Sequence, residues 1–308
     1  MEALVSVEQL TRRYQRKPAL EQVDFKLARG EVLGLLGPNG AGKTTCQKIL
    51  SGNLAPTSGK VMIMGLDPLR QPLKAKRHVG YLPERPPLYP EMRVDEFLAF
   101  CARLHRVPRR RIGEMVERAK ERCGLNDIGR HQLVKISKGY RQRVGIAQAI
   151  VHEPDLIILD EPTEGLDPLQ IREVRELIRE LSAISGLILS SHILPEIQAV
   201  CSRVIILCDG RIVHSTAIDP REASRDTRRV RLRLERPVSK QALSLLPAVA
   251  QAEQTSLDGY LIAIAANLTA AQLAQQIVEQ GWGLREMTPE RTDLERIFFD
   301  IIGAEREA

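Results

Sequence analysis

The stretch Gly37-Pro38-Asn39-Gly40-Ala41-Gly42-Lys43-Thr44-Thr45 constrains this chain more than any other. It fits GxxxxGK followed by Ser or Thr. Val32-Leu33-Gly34-Leu35-Leu36 before it is an apolar run of buried-strand type, and Thr45-Cys46-Gln47-Lys48-Ile49-Leu50 reads as the start of a helix. Strand, glycine loop and helix in that order build a phosphate site. Glycines let backbone N–H groups turn inward and crowd a polyphosphate, with the positive end of the helix dipole behind them. Lys43 can reach the β- and γ-phosphates as a point charge, and the Thr44 hydroxyl can ligate Mg²⁺. A glycine turn that merely caps a helix is disfavoured by the flanking strand and helix. The chain is expected to bind a nucleoside triphosphate.

The length, 308 residues, suggests two domains, each able to bury a core. Residues 3–10 and 22–28 carry strand-type runs that lead into 32–36, so an antiparallel β layer opens the chain. Tyr14 falls between them, an aromatic placed to stack on an adenine ring once a nucleotide site is granted. Residues 59–65 read as another strand. Residues 79–90 form a strand end followed by a proline-rich loop. Residues 94–106 and 109–123 have helical spacing, and Arg109-Arg110-Arg111 reads as a solvated helix start. Ser137-Lys138-Gly139-Tyr140-Arg141-Gln142-Arg143 precedes an apolar helix at 144–150.

Leu156-Ile157-Ile158-Leu159 is an unbroken apolar strand, as in a parallel sheet covered on both faces. It delivers Asp160 and Glu161 at its carboxyl end, where ligands sit in open α/β sheets. Asp160 can hold Mg²⁺, and Glu161 is placed to polarise an attacking water as general base. Surface acids at a strand end would explain either residue alone, but not both beside a phosphate loop. A helix at 168–183 and a strand at 187–190 lead to His192, placed where it can contact a γ-phosphate. Strands at 204–207 and 211–213 complete the first domain.

A polar stretch follows as a linker, and Arg229-Val230-Arg231-Leu232-Arg233-Leu234 then alternates strictly, a strand with one apolar and one charged face. The arginines read as a solvated outer face. A helix at 239–247, strands near 250–255 and 259–265, a helix at 268–280, a strand at 283–288 and a helix at 291–302 give the order β-α-β-β-α-β of a ferredoxin-like fold. The expected division is an ATP-binding domain over 1–216 with a helical subdomain at about 84–150, a linker at 217–228, and a small α+β domain over 229–308.

The whole arrangement resembles the ATP-binding cassette (ABC) ATPases that drive membrane transporters. Matching pieces run in family order: Tyr14 as the adenine-stacking aromatic, 37–45 as Walker A, 136–143 as the signature, 156–161 as Walker B with the catalytic Glu161, Gly165-Leu166-Asp167-Pro168 as the D-loop, and His192 as the switch histidine. The resemblance covers residues 1 to about 215. The signature keeps Ser137 and Gly139, expected to cap a γ-phosphate, but has Lys138 and Tyr140 where Gly and Gln are usual. The family's Q-loop glutamine falls on Glu84, which can ligate Mg²⁺ but cannot donate as an amide does. Glu84, this signature and a C-terminal extension ending in Asp293-Leu294-Glu295-Arg296-Ile297-Phe298-Phe299 look like the bacterial exporter branch of gliding-motility or multidrug type.

The resemblance implies a head-to-tail dimer, of two copies or with a paralogous cassette. Each ATP would lie between Walker A of one subunit and Ser137 and Gly139 of the other. Glu161 would activate the water, and polytopic membrane permease subunits would dock near the Q-loop. No apolar run approaches the roughly 18 residues of a membrane span, and the N-terminus has no signal-peptide pattern. The chain is therefore expected in the cytoplasm, peripheral on the inner face of the plasma membrane. Five cysteines without a CxxC pair argue for reduced, mostly buried thiols and against a zinc site. The competing function is a soluble cassette ATPase acting on ribosomes or nucleic acid through the arginine-bearing domain. Aromatic residues at 4% speak against a base-stacking surface, and no nucleic-acid partner is expected.

Overall fold

The computed structural model describes residues 3–15, 17–218, 229–289 and 293–306. The chain divides into two compact units, Met1–Ile218 and Asp219–Ala308. Of the expected linker, everything beyond Ile218 lies outside the described residues.

The first unit is layered. Strands β1 (Val5–Tyr14), β2 (Lys17–Leu27) and β4 (Ser58–Ile63) form an antiparallel sheet in the order β2-β1-β4. The six-stranded sheet runs β5-β6-β7-β3-β8-β9, with β3 (Val32–Leu36), β5 (Val79–Leu82), β6 (Leu156–Asp160), β7 (Gly186–Ser191), β8 (Arg203–Cys208) and β9 (Arg211–Ala217). Its neighbours are parallel except β8 and β9. Every residue of β3, β6 and β7 is buried, because both faces are covered and no polar face is needed. Leu4, Val5, Leu10 and Leu27 of the antiparallel layer share a core with Leu33, Leu35, Ile158 and Ile188 of the parallel sheet.

Helix α1 (Lys43–Leu50) follows β3 through the glycine loop, with α2 (Pro72–Ala75) further along. Helices α3 (Val94–Leu104), α4 (Ile112–Cys123) and α5 (Lys138–Ile150) pack as a helical group between β5 and β6. Helix α6 (Pro168–Ser182) precedes β7, and α7 (Leu194–Val200) follows it. An ideal Cβ on Gly34 would meet Cγ2 of Ile197 at 2.7 Å, so the glycine in β3 is what lets α7 lie close on the sheet.

Several boundaries differ from the sequence expectation. Tyr14 ends β1 rather than lying between strands, since β1 and β2 extend into one long hairpin. Helix α5 starts at Lys138 instead of Val144: the Ser137 hydroxyl accepts from the Tyr140 N–H at 3.3 Å, an N-cap that carries the helix through the polar residues. Arg109–Arg111 form a 3-10 turn before α4, and Arg111 pairs with Glu153 at 3.6 Å. Four cysteines are buried and Cys208 is half-buried.

In the second unit β10 (Arg229–Leu234), β11 (Val249–Gln254), β12 (Gly259–Ile264) and β13 (Leu284–Pro289) form an antiparallel sheet in the order β11-β12-β10-β13. Helix α8 (Lys240–Ser244) lies between β10 and β11, α9 (Ala270–Glu279) between β12 and β13, and α10 (Asp293–Arg306) comes last. Val230, Leu232 and Leu234 enter a core with Tyr260, Leu273 and Ile277, while Arg229, Arg231 and Arg233 are exposed. Among the described residues no helix is long and apolar enough to cross a membrane.

Candidate nucleotide site

The carboxyl ends of β3, β6 and β7 meet at one cavity of about 430 Å³. Asn39 to Thr45 line it together with Ala19, Glu84, Glu161, Glu164 and His192. Gly42 caps α1 with φ of 104°, and a Cβ there would strike the Ala19 carbonyl oxygen. Only glycine allows the loop to turn that close to β2.

Lys43 is buried. Its Nζ donates to the carbonyls of Gly37 at 2.7 Å and Pro38 at 3.1 Å, and lies 3.8 Å from Oε1 of Glu161. Burial draws the ammonium below the usual lysine value, against the pull of Glu161 and Asp160 in the other direction.

Asp160 ends β6 with 1% of its surface exposed. The hydroxyl of Ser190 donates to its Oδ1 at 2.6 Å and that of Thr44 at 3.4 Å. Burial raises its pKa, the two hydroxyls pull it back, and the charge of Glu84 adds to the rise. Glu161 takes a left-handed backbone, φ 47°, a conformation that costs a non-glycine residue about 1–3 kcal/mol and clusters at functional sites. Its N–H donates to Ser190 Oγ at 3.1 Å, and its Oε2 lies 3.1 Å from Nδ1 of His192.

These residues fit a metal-bound polyphosphate. Oδ2 of Asp160 is buried without a hydrogen-bond partner, as are Oε1 of Gln47 and the hydroxyl of Tyr81. An unpartnered carboxylate oxygen beside a threonine hydroxyl is a donor set for a hard cation that keeps most of its waters. Among the described residues no group of three His, Cys, Asp or Glu side chains could hold a metal by itself.

Gly37, Pro38, Asn39, Gly40, Ala41, Gly42, Lys43, Thr44, Thr45, Glu84, Asp160, Glu161 and His192 thus converge on one end of the sheet. Tyr14 does not line the cavity; it is 46% exposed and stacks under Arg12, whose guanidinium carbon is 4.8 Å from the ring centroid. Ser137, Gly139 and Asp167 also lie outside the lining. Asp167 caps α6 in a reciprocal box with Gln170, accepting its N–H at 2.9 Å. The Gln170 side chain backs Gly139, and Lys138 lies against the backbone of Gly165. Ala19, Glu164, Ser190 and Gln47 escaped the sequence reading. Ser190 stands two residues before His192, but nothing local marks it as the partner of Asp160.

Comparison with known proteins agrees with this geometry. The family model described as "ABC transporter" matches residues 20–164. The Bacillus subtilis (strain 168) protein named "Uncharacterized ABC transporter ATP-binding protein YdbJ" is 34% identical over 99% of this chain and 97% of its own length. The Escherichia coli (strain K12) protein named "Probable multidrug ABC transporter ATP-binding protein YbhF" is 34% identical over 72% of this chain and 38% of its own length. The solved structure of cbiO1 from Clostridium perfringens, described as part of the ABC transporter complex cbiONQ, matches with a TM-score of 0.65 and 28% identity, covering 73% of this chain and 91% of that one. With its P-loop, the paired acids Asp160 and Glu161, and His192 at the same end of this sheet, the chain belongs to the ABC transporter ATP-binding proteins, a family of ATP-hydrolysing enzymes.

Proposed function

We propose that this protein drives polytopic membrane permease subunits by closing and reopening a two-chain ATPase, in the direction of export. The observation that carries the reading is that Ser137, Gly139 and Asp167 stand outside the cavity that holds Lys43, Glu161 and His192. Ser137 is exposed, so a second chain can present its own Ser137 to this cavity. Two copies related by a two-fold axis would complete two sites at once. A paralogous cassette would do the same.

Within each site the loop from Gly37 to Gly42 surrounds the phosphates with backbone N–H groups, and Lys43 and Thr45 hold them. Tyr14 would stack on the base after the hairpin shifts toward the cavity. Thr44 and Asp160 would hold Mg²⁺, with Glu84 beside them; the ion neutralises charge on the phosphates. Glu161 accepts the proton of the attacking water, and His192 orients Glu161 and touches the γ-phosphate. Export rests on the likeness of Glu84 and the C-terminal extension to the bacterial exporter branch, and the E. coli relative's name carries the word multidrug. The protein would act at the inner face of the plasma membrane.

The test is a pull-down on tagged Glu161→Gln with ATP, from detergent-solubilised membranes and separately from the soluble fraction. Recovery of a polytopic membrane protein is expected. Recovery of ribosomes or nucleic acid would overturn the transport reading.

A further inference from the structure

Glu196, on the first turn of α7, has no part in the roles set out above. Yet Glu196 is 9% exposed, and its carboxylate accepts two hydroxyls on one oxygen. Thr163 Oγ1 donates to Oε2 at 2.6 Å, and Ser191 Oγ donates to the same Oε2 at 2.9 Å. Both donors are buried, Ser191 completely.

The two donors come from the two turns that carry the reacting side chains. Thr163 lies two residues beyond Glu161, in the turn that follows β6. There the Glu164 N–H donates to the Glu161 carbonyl at 3.1 Å and the Leu166 N–H to the Thr163 carbonyl at 3.2 Å. Ser191 immediately precedes His192. Its Oγ also accepts the Ile193 N–H at 3.0 Å, so the backbone on both sides of His192 is tied to one hydroxyl. The Glu196 N–H closes the turn on the Ile193 carbonyl at 3.1 Å.

A buried carboxylate is costly unless its oxygens are filled, and short O–H···O⁻ bonds are among the strong hydrogen bonds of proteins. Here that strength is used to join Thr163 and Ser191, 28 residues apart in sequence, at the point where Glu161 and His192 must face each other across 3.1 Å. Ser190 ties the same two strand ends through the Glu161 N–H and Asp160, and Gln142 Nε2 donates to the Pro162 carbonyl at 3.1 Å; the Glu196 carboxylate adds the bonds that hold Thr163 and Ser191 together.

We infer that Glu196 is a positioning residue for ATP hydrolysis, a carboxylate strut that sets the turn bearing Glu161 against the turn bearing His192. It acts through Thr163 and Ser191 and touches neither nucleotide nor metal. The inference rests on the assignment of Glu161 and His192 to the reaction.

The experiment measures kcat, nucleotide affinity and thermal midpoint for Glu196→Ala, Glu196→Gln, Thr163→Val and Ser191→Ala. Ser185→Ala serves as the control, because it removes a buried hydroxyl bond at 2.7 Å to Pro154 away from the site. Glu196→Ala should lower kcat by roughly tenfold or more while nucleotide affinity stays within about twofold, since misplacement of a reacting group by even a fraction of an ångström slows chemistry without loosening binding. Glu196→Gln, which keeps a carbonyl acceptor, should restore most of the rate. Thr163→Val and Ser191→Ala should each lower kcat, and neither loss should be additive with Glu196→Ala. They keep the test open if Glu196→Ala fails to fold.

An unchanged kcat in Glu196→Ala, or strictly additive losses, overturns the strut. So does a rate loss no larger than that of Ser185→Ala at the same fall in thermal midpoint. Glu161→Gln is assayed alongside. If it still hydrolyses ATP at the full rate, the catalytic assignment fails instead, whatever Glu196 does.

Discussion

The Ser190 hydroxyl donates to Asp160 Oδ1 at 2.6 Å and accepts the N–H of Glu161 at 3.1 Å, so one buried oxygen fixes both adjacent acids. A hydrogen bond to a charged group is worth about 1.5–3 kcal/mol. Ser190→Ala is expected to lower kcat by roughly tenfold or more and to raise the Mg²⁺ concentration needed for half-maximal rate. Titration of ATPase activity with Mg²⁺ reads both effects. A variant with wild-type rate and metal dependence would show that Asp160 is held without Ser190, by the strand and Thr44.

Lys43 and Glu161 are expected to separate binding from hydrolysis. Lys43→Ala removes the buried cation of the loop and should cost most of the nucleotide affinity, read by titration with a fluorescent nucleotide. Glu161→Gln keeps the shape but not the base, so it should bind ATP, lose hydrolysis and accumulate as a dimer in size-exclusion chromatography with ATP. A monomeric, fully active Glu161→Gln would remove the two-chain mechanism.

Gly40 and Gly42 both have left-handed backbones, φ 88° and 104°, but different surroundings. A Cβ on Gly40 meets nothing within 4 Å, whereas one on Gly42 meets the Ala19 carbonyl and, at 2.8 Å, Cδ2 of Leu20. Gly40→Ala should therefore cost only the conformational penalty, about 1 kcal/mol. Gly42→Ala adds a clash with backbone and should destabilise more and abolish nucleotide binding. Denaturant unfolding of the two variants gives the comparison.

Two histidines tie the helical group to the sheet. The rings of His105, just after α3, and His152, just after α5, stack with centroids 3.6 Å apart at 10°. Burial, then the charge of His105, holds His152 down at about 3, although the Val79 carbonyl favours its protonated form. Burial lowers His105 as well. His152 stays neutral in the native state while the unfolded chain takes up protons near pH 6.5. Its contribution is thus fully present above pH 6.5 and is lost as pH falls toward 3, and the lowered His105 acts in the same direction. His152 alone predicts a loss on the order of 1 kcal/mol between pH 7.5 and 5.5. Unfolding measured at the two pH values should show it, and His152→Gln should shrink it.

The parts of the site carried by contiguous residues were legible in the sequence. Walker A, Asp160-Glu161 and the strand leading to His192 each declare themselves within one strand and its loop, where the chemistry and the local structure coincide. Ser190 and Glu196 were not legible, because their roles come from register: Asp160 pairs with Ser190 across parallel strands, a relation set by tertiary packing. The early start of α5 was readable in principle, since Ser137 is a good cap, but the polar residues after it masked the helical period. In the second unit, strict alternation in 229–234 placed the strand and its apolar face correctly.

Lys43 lies within reach of two carbonyl oxygens of its own loop. A phosphate entering the loop must compete with those carbonyls for the ammonium, which trims affinity. The same carbonyls recapture the ammonium when phosphate departs, so no bare cation is stranded in the protein.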